Sequence, residues 1–358
     1  MVTLLDCIER VPNVLEEIIK NRRKMFSSFI NGISSDINIY NEIILVGSGT
    51  SNTSAITARY FCERASGLRT TVVLPNEYLY DLTVHNPNAI YLFISQTGSS
   101  TVVMDCLVHA RERGYLTAAL SERTDTLTAK AAEYAISIGC GHEEHPTRTI
   151  GYSASVLDIM LLGMEIGMAR GFLSQSKYDE YIAQAEKLPD SIRKITASAL
   201  EWMKTSKRTM LRSSAIIFTG SGALYGVAQE ASVKVWELPQ IPSFGYELEE
   251  GIHGPNFGYN YSHCIIALND GGRENDKAQN LIRYMKNEWK TGFIIGEGAL
   301  DDSDFAFTPV SGAFSALEFA PVVQVLSNVL AVDGGRNMTL PHDNSVMYSY
   351  FNGHSEVI

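Results

Sequence analysis

Two stretches 173 positions apart carry one pattern, and that pattern limits the folds open to this chain more than any other feature. Val46-Gly47-Ser48-Gly49 follows the apolar run Ile43-Ile44-Leu45, and Thr219-Gly220-Ser221-Gly222 follows Ile216-Ile217-Phe218. Short apolar runs without alternation belong to strands covered on both faces, the parallel kind. Each run enters a Gly-Ser-Gly turn that opens a segment of helical period. At the same offset Phe93-Ile94 meets Ile266-Ala267, and Gly292 to Ile295 echoes Leu116 to Leu120 at a slightly larger one. An internal duplication at about half the chain length is the economical explanation.

The remaining segments agree with it. Strands are expected at Ile43 to Val46, Thr70 to Leu74, Ile90 to Ile94, Leu116 to Leu120 and Ala135 to Ile138. Helices are expected at Val14 to Phe29, at about Thr53 to Ser66, after Pro189, and from Ala223 to Leu238. Strands alternating with amphipathic helices predict the α/β class, with two repeated three-layer αβα domains and mainly parallel sheets. The expected division is a helical segment at 1–30, domains at 31–170 and 207–340, a helical connection at 171–206 and a tail at 341–358.

The chain has 358 residues, 45% apolar and 19% charged, which describes a globular protein with length for a substantial core. A net charge of −11 argues against a nucleic-acid surface. Five scattered cysteines, Cys7, Cys62, Cys106, Cys140 and Cys264, predict reduced, buried thiols and a cytoplasmic setting. An early acid in MVTLLDCIER excludes a signal peptide, and the apolar segment Val156 to Met168 is read as too short to span a bilayer, so no membrane partner is expected.

The two copies differ in chemistry. The first keeps hydroxyls: Thr50 and Ser51 after one strand, Ser95 to Ser100 (SQTGSS) after another. Helix N-termini at strand ends, with serine and threonine donors, suit a phosphate, although the same residues routinely cap helices. The second copy keeps acid–base groups. Glu230, Lys234 and Glu237 share one helix face, and a loop delivers His253 in Glu-Gly-Ile-His-Gly-Pro. By itself that face reads as a surface ladder of ion pairs, opposite an apolar stripe of Val227, Ala231, Val235 and Leu238.

Competing motifs are weaker. Gly47-x-Gly49 lacks the third glycine of a dinucleotide loop, so no nucleotide or other cofactor is expected. His142-Glu143-Glu144-His145 has neither helical spacing nor a third ligand; a solvated or substrate-touching loop is expected there, and no metal. Trp236, Phe244, Tyr246 and Phe257 fit a core as well as a pocket wall.

At these residues the sequence resembles the sugar isomerase (SIS) family, and within it the isomerase half of glucosamine-6-phosphate synthase and the phosphosugar deglycases. The matching stretches are SGTSN (48–52), SQTGSS (95–100), PTRT (146–149), GSG (220–222), EASVKVWE (230–237) and EEGIHGP (249–255). They span roughly residues 30–340. The resemblance implies two flavodoxin-like domains and a homodimer with a shared active site. It implies a 6-phosphorylated sugar or amino sugar as the small-molecule partner, held by Thr50, Ser51, Ser95, Gln96, Thr97 and Ser100. It gives Glu237 the role of base between C1 and C2, and His253, supplied by the neighbouring subunit, the role in ring opening. Lys234 and Glu230 match the helix lysine and the acid one turn before it. Gly49, Thr147, Arg148 and His342 are further candidate substrate contacts, with His342 or Arg148 as the candidate substitute for a C-terminal lysine that the synthase carries.

Proton traffic at a ring oxygen suits an imidazole, and a partly buried carboxylate suits the proton shuttle, with Lys234 offsetting developing charge. Two departures stand out. No glutaminase domain is expected, and where the synthase carries a C-terminal lysine this chain has Arg336 to His342. A deglycase that frees an amine from an Amadori adduct, and a phosphosugar sensor without turnover, are the alternative readings.

Overall fold

The computed structural model describes residues 2–337, 345–351 and 353–354. The chain divides into two compact units, one formed by Val14–Glu144, Ile150–Ile182 and Pro341–Ile358, the other by Met1–Asn13, His145–Thr149 and Ala183–Leu340.

The opening helix α1 (Leu4–Ile33) starts ten residues before the expected one. A capping box explains this: the Asp6 carboxylate accepts from Thr3 N at 2.7 Å, and Thr3 Oγ1 accepts from Asp6 N at 3.2 Å. The first unit then runs β1 (Glu42–Gly47), α2 (Thr50–Ser66), β2 (Arg69–Val73), β3 (Ala89–Ile94) and α3 (Thr101–Glu112). It continues with β4 (Leu116–Ser121), α4 (Leu127–Ala131), β5 (Tyr134–Ser137) and α5 (Ile150–Ala169). All five strands are parallel, in the order β2-β1-β3-β4-β5.

After α6 (Gln175–Ala185) and α7 (Leu188–Leu211, with Pro189 in its first turn), the second unit builds the same sheet. Its elements are β6 (Ala215–Gly220), α8 (Ala223–Glu237), β7 (Ser243–Glu247), α9 (Leu248–Gly251) and β8 (His263–Asn269). There follow α10 (Asn275–Tyr284), β9 (Phe293–Gly296), β10 (Phe305–Ala306), α11 (Ala316–Asp333) and, in the C-terminal segment, α12 (Ser345–Tyr350). The order β7-β6-β8-β9-β10, again parallel, reproduces the first sheet strand for strand. The turns match as well: Gly49 at φ 57°, ψ −129° and Gly222 at φ 59°, ψ −124°. The duplication is thus structural, and both halves are flavodoxin-like.

Three expectations need correcting. Phe93 pairs with Val46, whereas the partner of Thr219 is Ala267, so the third strands correspond at an offset one residue larger than expected. Burial fixes the register of both strand pairs, and the connection between them is one residue longer in the second copy. Thr50 and Ser51 lie in the first turn of α2, not in a loop before it. Finally, α5 has 20 residues and, with the stretch 312–333, is long and apolar enough to cross a bilayer; both are nearly all buried within the fold, as central core helices are. All five cysteines are buried and none is in a disulfide, as expected.

Candidate active site

In the second unit the chemistry gathers on α8, which starts immediately after the Gly220-Ser221-Gly222 turn at the carboxyl end of β6. The apolar stripe of Val227, Ala231, Val235 and Leu238 is fully buried, as expected. The charged face is not the solvated ladder that its spacing suggests. Glu230 and Lys234 are both at 0% exposure, and Lys234 Nζ lies 3.2 Å from Glu230 Oε1 and 2.7 Å from Glu237 Oε2. A lone buried ammonium is prohibitive, so the pairing is a condition of the burial. Burial works against the charge, but the two carboxylates outweigh it and hold Lys234 above its ordinary pKa.

Glu237 ends the helix, and its side chain is 41% exposed. One carboxylate oxygen is fixed by Lys234; the other has no protein partner among the described residues. This is a carboxylate aimed by a buried cation with one oxygen open to a reactant.

His253 follows α9 in the same unit. The Glu247 carboxylate caps α9, accepting from Glu249 N at 2.7 Å and Glu250 N at 3.3 Å. The His253 Nδ1 is 3.0 Å from the Glu249 carbonyl and 3.3 Å from Glu249 Oε1. A carbonyl only accepts, so Nδ1 carries the hydrogen and Nε2 is the outward nitrogen. Lys277 pairs with both Glu249 and Glu274, anchoring the loop to α10. Trp236, Phe244 and Phe257 are 50%, 45% and 92% exposed, so none of the three is a core residue.

In the first unit, Gly47 and Ile94 are register partners, so the loops after β1 and β3 leave adjacent strands at one edge of the sheet. In a sheet of this order that is the switch point, where open α/β sheets bind ligands. The hydroxyls of Ser51, Ser95 and Ser100 have no protein partner among the described residues, whereas Thr97 Oγ1 is 2.9 Å from Ser99 Oγ. The amides of α2 are less available than expected, because Ser51 N and Asn52 N turn back to the carbonyls of Ser48 and Gly49.

Gln96 is engaged inside the protein. It is 8% exposed, and its Nε2 donates to Glu143 Oε2 at 3.1 Å. The same carboxylate accepts from Ile150 N at 2.9 Å and Gly151 N at 3.1 Å, capping α5. The segment 142–145 is thus solvated only in part: Glu143 and His145 are buried, whereas His142, beside Glu122, and Glu144 are exposed. Among the described residues no group of three or more metal-ligating side chains converges.

Thr147 and Arg148 fall in the other unit, where Thr147 N donates to His145 Nδ1 at 3.2 Å. His342 lies outside the described residues. One contact had no signal in the sequence. The C-terminal segment reaches the SQTGSS loop, where the Gly353 carbonyl accepts from Thr101 N at 3.0 Å and His354 Nδ1 lies 3.4 Å from Ser99 Oγ. These residues are more than 250 positions apart, beyond any local pattern.

No family model matches the chain. It is similar to the glutamine–fructose-6-phosphate aminotransferase (isomerizing) of Haemophilus influenzae, 24% identical over 301 residues, which cover 84% of this chain and 48% of the relative. The chain spans about half the length of the curated relatives it matches. Among solved structures, a Clostridium difficile 630 protein classed with the phosphosugar isomerases matches at a TM-score of 0.88, with 24% identity over 98% of this chain and 99% of that one. The C-terminal domain of glucosamine-fructose-6-phosphate aminotransferase from Francisella tularensis matches at 0.80, with 18% identity over 93% and 96% of the two chains. The recognition made from the motifs therefore stands: the homologues are these aminotransferases, and the fold is the one that sugar isomerase domains share.

Proposed function

We propose that the chain is a phosphosugar isomerase-type enzyme that takes a 6-phosphorylated sugar or amino sugar and moves a proton between C1 and C2. The observation that carries this reading is Glu237, a partly exposed carboxylate fixed at one oxygen by the buried Lys234 and open at the other. A base needs a defined direction and an accessible lone pair, and this arrangement supplies both. Lys234, with no exposed side-chain surface, acts through Glu237 as a positioning residue and does not touch the sugar in this arrangement. Glu230 supplies the second carboxylate that makes the buried ammonium tolerable. His253, with Nε2 outward, exchanges protons with the ring oxygen and anomeric hydroxyl. The hydroxyls of Ser51, Ser95 and Ser100 hold the phosphate, and the active site is shared within a homodimer. The buried cysteines, none in a disulfide, support a reducing, cytoplasmic setting.

The test is exchange of the C2 hydrogen of sugar 6-phosphates with solvent deuterium, followed by NMR. Glu237→Gln should reduce exchange by roughly 10²–10⁴-fold while phosphate-anchored binding persists. Undiminished exchange would sink the mechanism. Release of free amine from a phosphorylated fructosamine would instead identify a deglycase.

A further inference from the structure

Glu143 belongs to a motif that neither the metal reading nor the proton-transfer reading uses, and its surroundings give it a task. It is 1% exposed and receives three N–H groups: Gln96 Nε2, Ile150 N and Gly151 N. Two of these are the first free amides of α5, a 20-residue helix whose positive end offsets the buried charge. The third comes from the loop after β3, which carries the Ser95 and Ser100 hydroxyls. One carboxylate thus joins that loop to the start of α5.

The opposite side of the Gln96 seat is equally specific. A Cβ at Gly151 would lie 1.8 Å from Gln96 Oε1, so the amide fits only because residue 151 is glycine. The loop is also held by backbone bonds, Gln96 O accepting from Glu122 N at 2.9 Å and Gly98 O from Thr128 N at 3.1 Å, and by the contact of Ser99 Oγ with His354 Nδ1 at 3.4 Å. The Gln96 amide is the side-chain tie from this loop to the start of α5, and Glu143 is what it is tied to.

We propose that Glu143 is a positioning residue for the phosphate loop, acting through Gln96. This rests on the reading of that loop as an anion site. Preorganised donors bind an anion without ordering cost, so releasing Gln96 should weaken anion binding even though Glu143 never meets the ligand.

A double-mutant cycle tests this, with inorganic phosphate and fructose 6-phosphate titrated calorimetrically into the full chain. Gln96→Ala and Glu143→Ala should each weaken binding about tenfold, and the double variant should be no weaker than either single one. Glu143→Gln, which keeps an acceptor for the helix amides, should stay within about threefold of the parent. Melting temperatures are read alongside, because a residue that merely caps α5 would lower stability without coupling to Gln96. If Glu143→Ala does not fold, Gly151→Ala, which invades the same seat from the other side, takes its place in the cycle. Additive losses, or unchanged affinity with Glu143 removed, would overturn the proposal. If the parent chain binds neither probe, the anion-site reading itself fails, which is a distinct result.

Discussion

The ammonium of Lys234, wholly buried, stands 2.7 Å from Oε2 of Glu237 and 3.2 Å from Oε1 of Glu230. An ion triad that is closed at one end and open to solvent at the other differs from an exposed helix ladder in what its loss would do.

Lys234→Met should therefore damage both stability and turnover. Removing the cation leaves Glu230 buried without its counter-charge, a loss of about 3–5 kcal/mol in denaturant unfolding. Combining it with Glu230→Leu should recover much of that loss. Turnover should not recover, because Glu237 still lacks its anchor. Equal activity in parent and double variant would contradict the positioning role.

The shared-site reading makes a complementation prediction. Homodimers of Glu237→Gln and of His253→Asn should each be inactive. After subunit exchange, a mixed dimer contains one site with both parental residues, so an equal mixture should regain about a quarter of parental activity. No recovery despite demonstrated exchange would place His253 and Glu237 in one subunit's own site.

Gly98 and Gly114 separate backbone strain from collision. Both have positive φ, at 65° and 72°, so alanine strains each by about 1 kcal/mol. Only at Gly98 would the new Cβ collide, 2.2 Å from Thr126 Cβ; around Gly114 there is open space. Gly98→Ala should cost several times more stability than Gly114→Ala and should abolish phosphate binding. Equal melting temperatures would refute the argument.

Asp158 has both carboxylate oxygens unpartnered inside α5, and burial raises its pKa well above the ordinary carboxylate value. With the folded pKa above the unfolded one, the native state holds the extra proton. The resulting stability is complete below the unfolded value near 3.8 and is lost as pH rises toward the folded value. Asp158→Asn lacks this slope. Its melting temperature should gain on the parent as pH rises from 4, reaching roughly 2 °C or more at pH 7. A constant difference across that range would argue against a buried, protonated carboxyl.

The sequence alone determined the repeated frame. Apolar runs running into Gly-Ser-Gly turns specify buried parallel strands followed by helices, because chain geometry within ten residues decides that. The spacing of Glu230, Lys234 and Glu237 likewise placed them on one face of α8. Whether that face meets water was not encoded there, since a helix covered on both sides carries the same local period as one covered on a single side. Tertiary structure alone buried Lys234 and turned an apparent ladder into an anchor for Glu237. It also spent Gln96 on Glu143, 47 positions away, and brought Gly353 and His354 to the loop after β3. Such contacts depend on strand order and register, which set distances between residues whose sequence separation says nothing about their proximity.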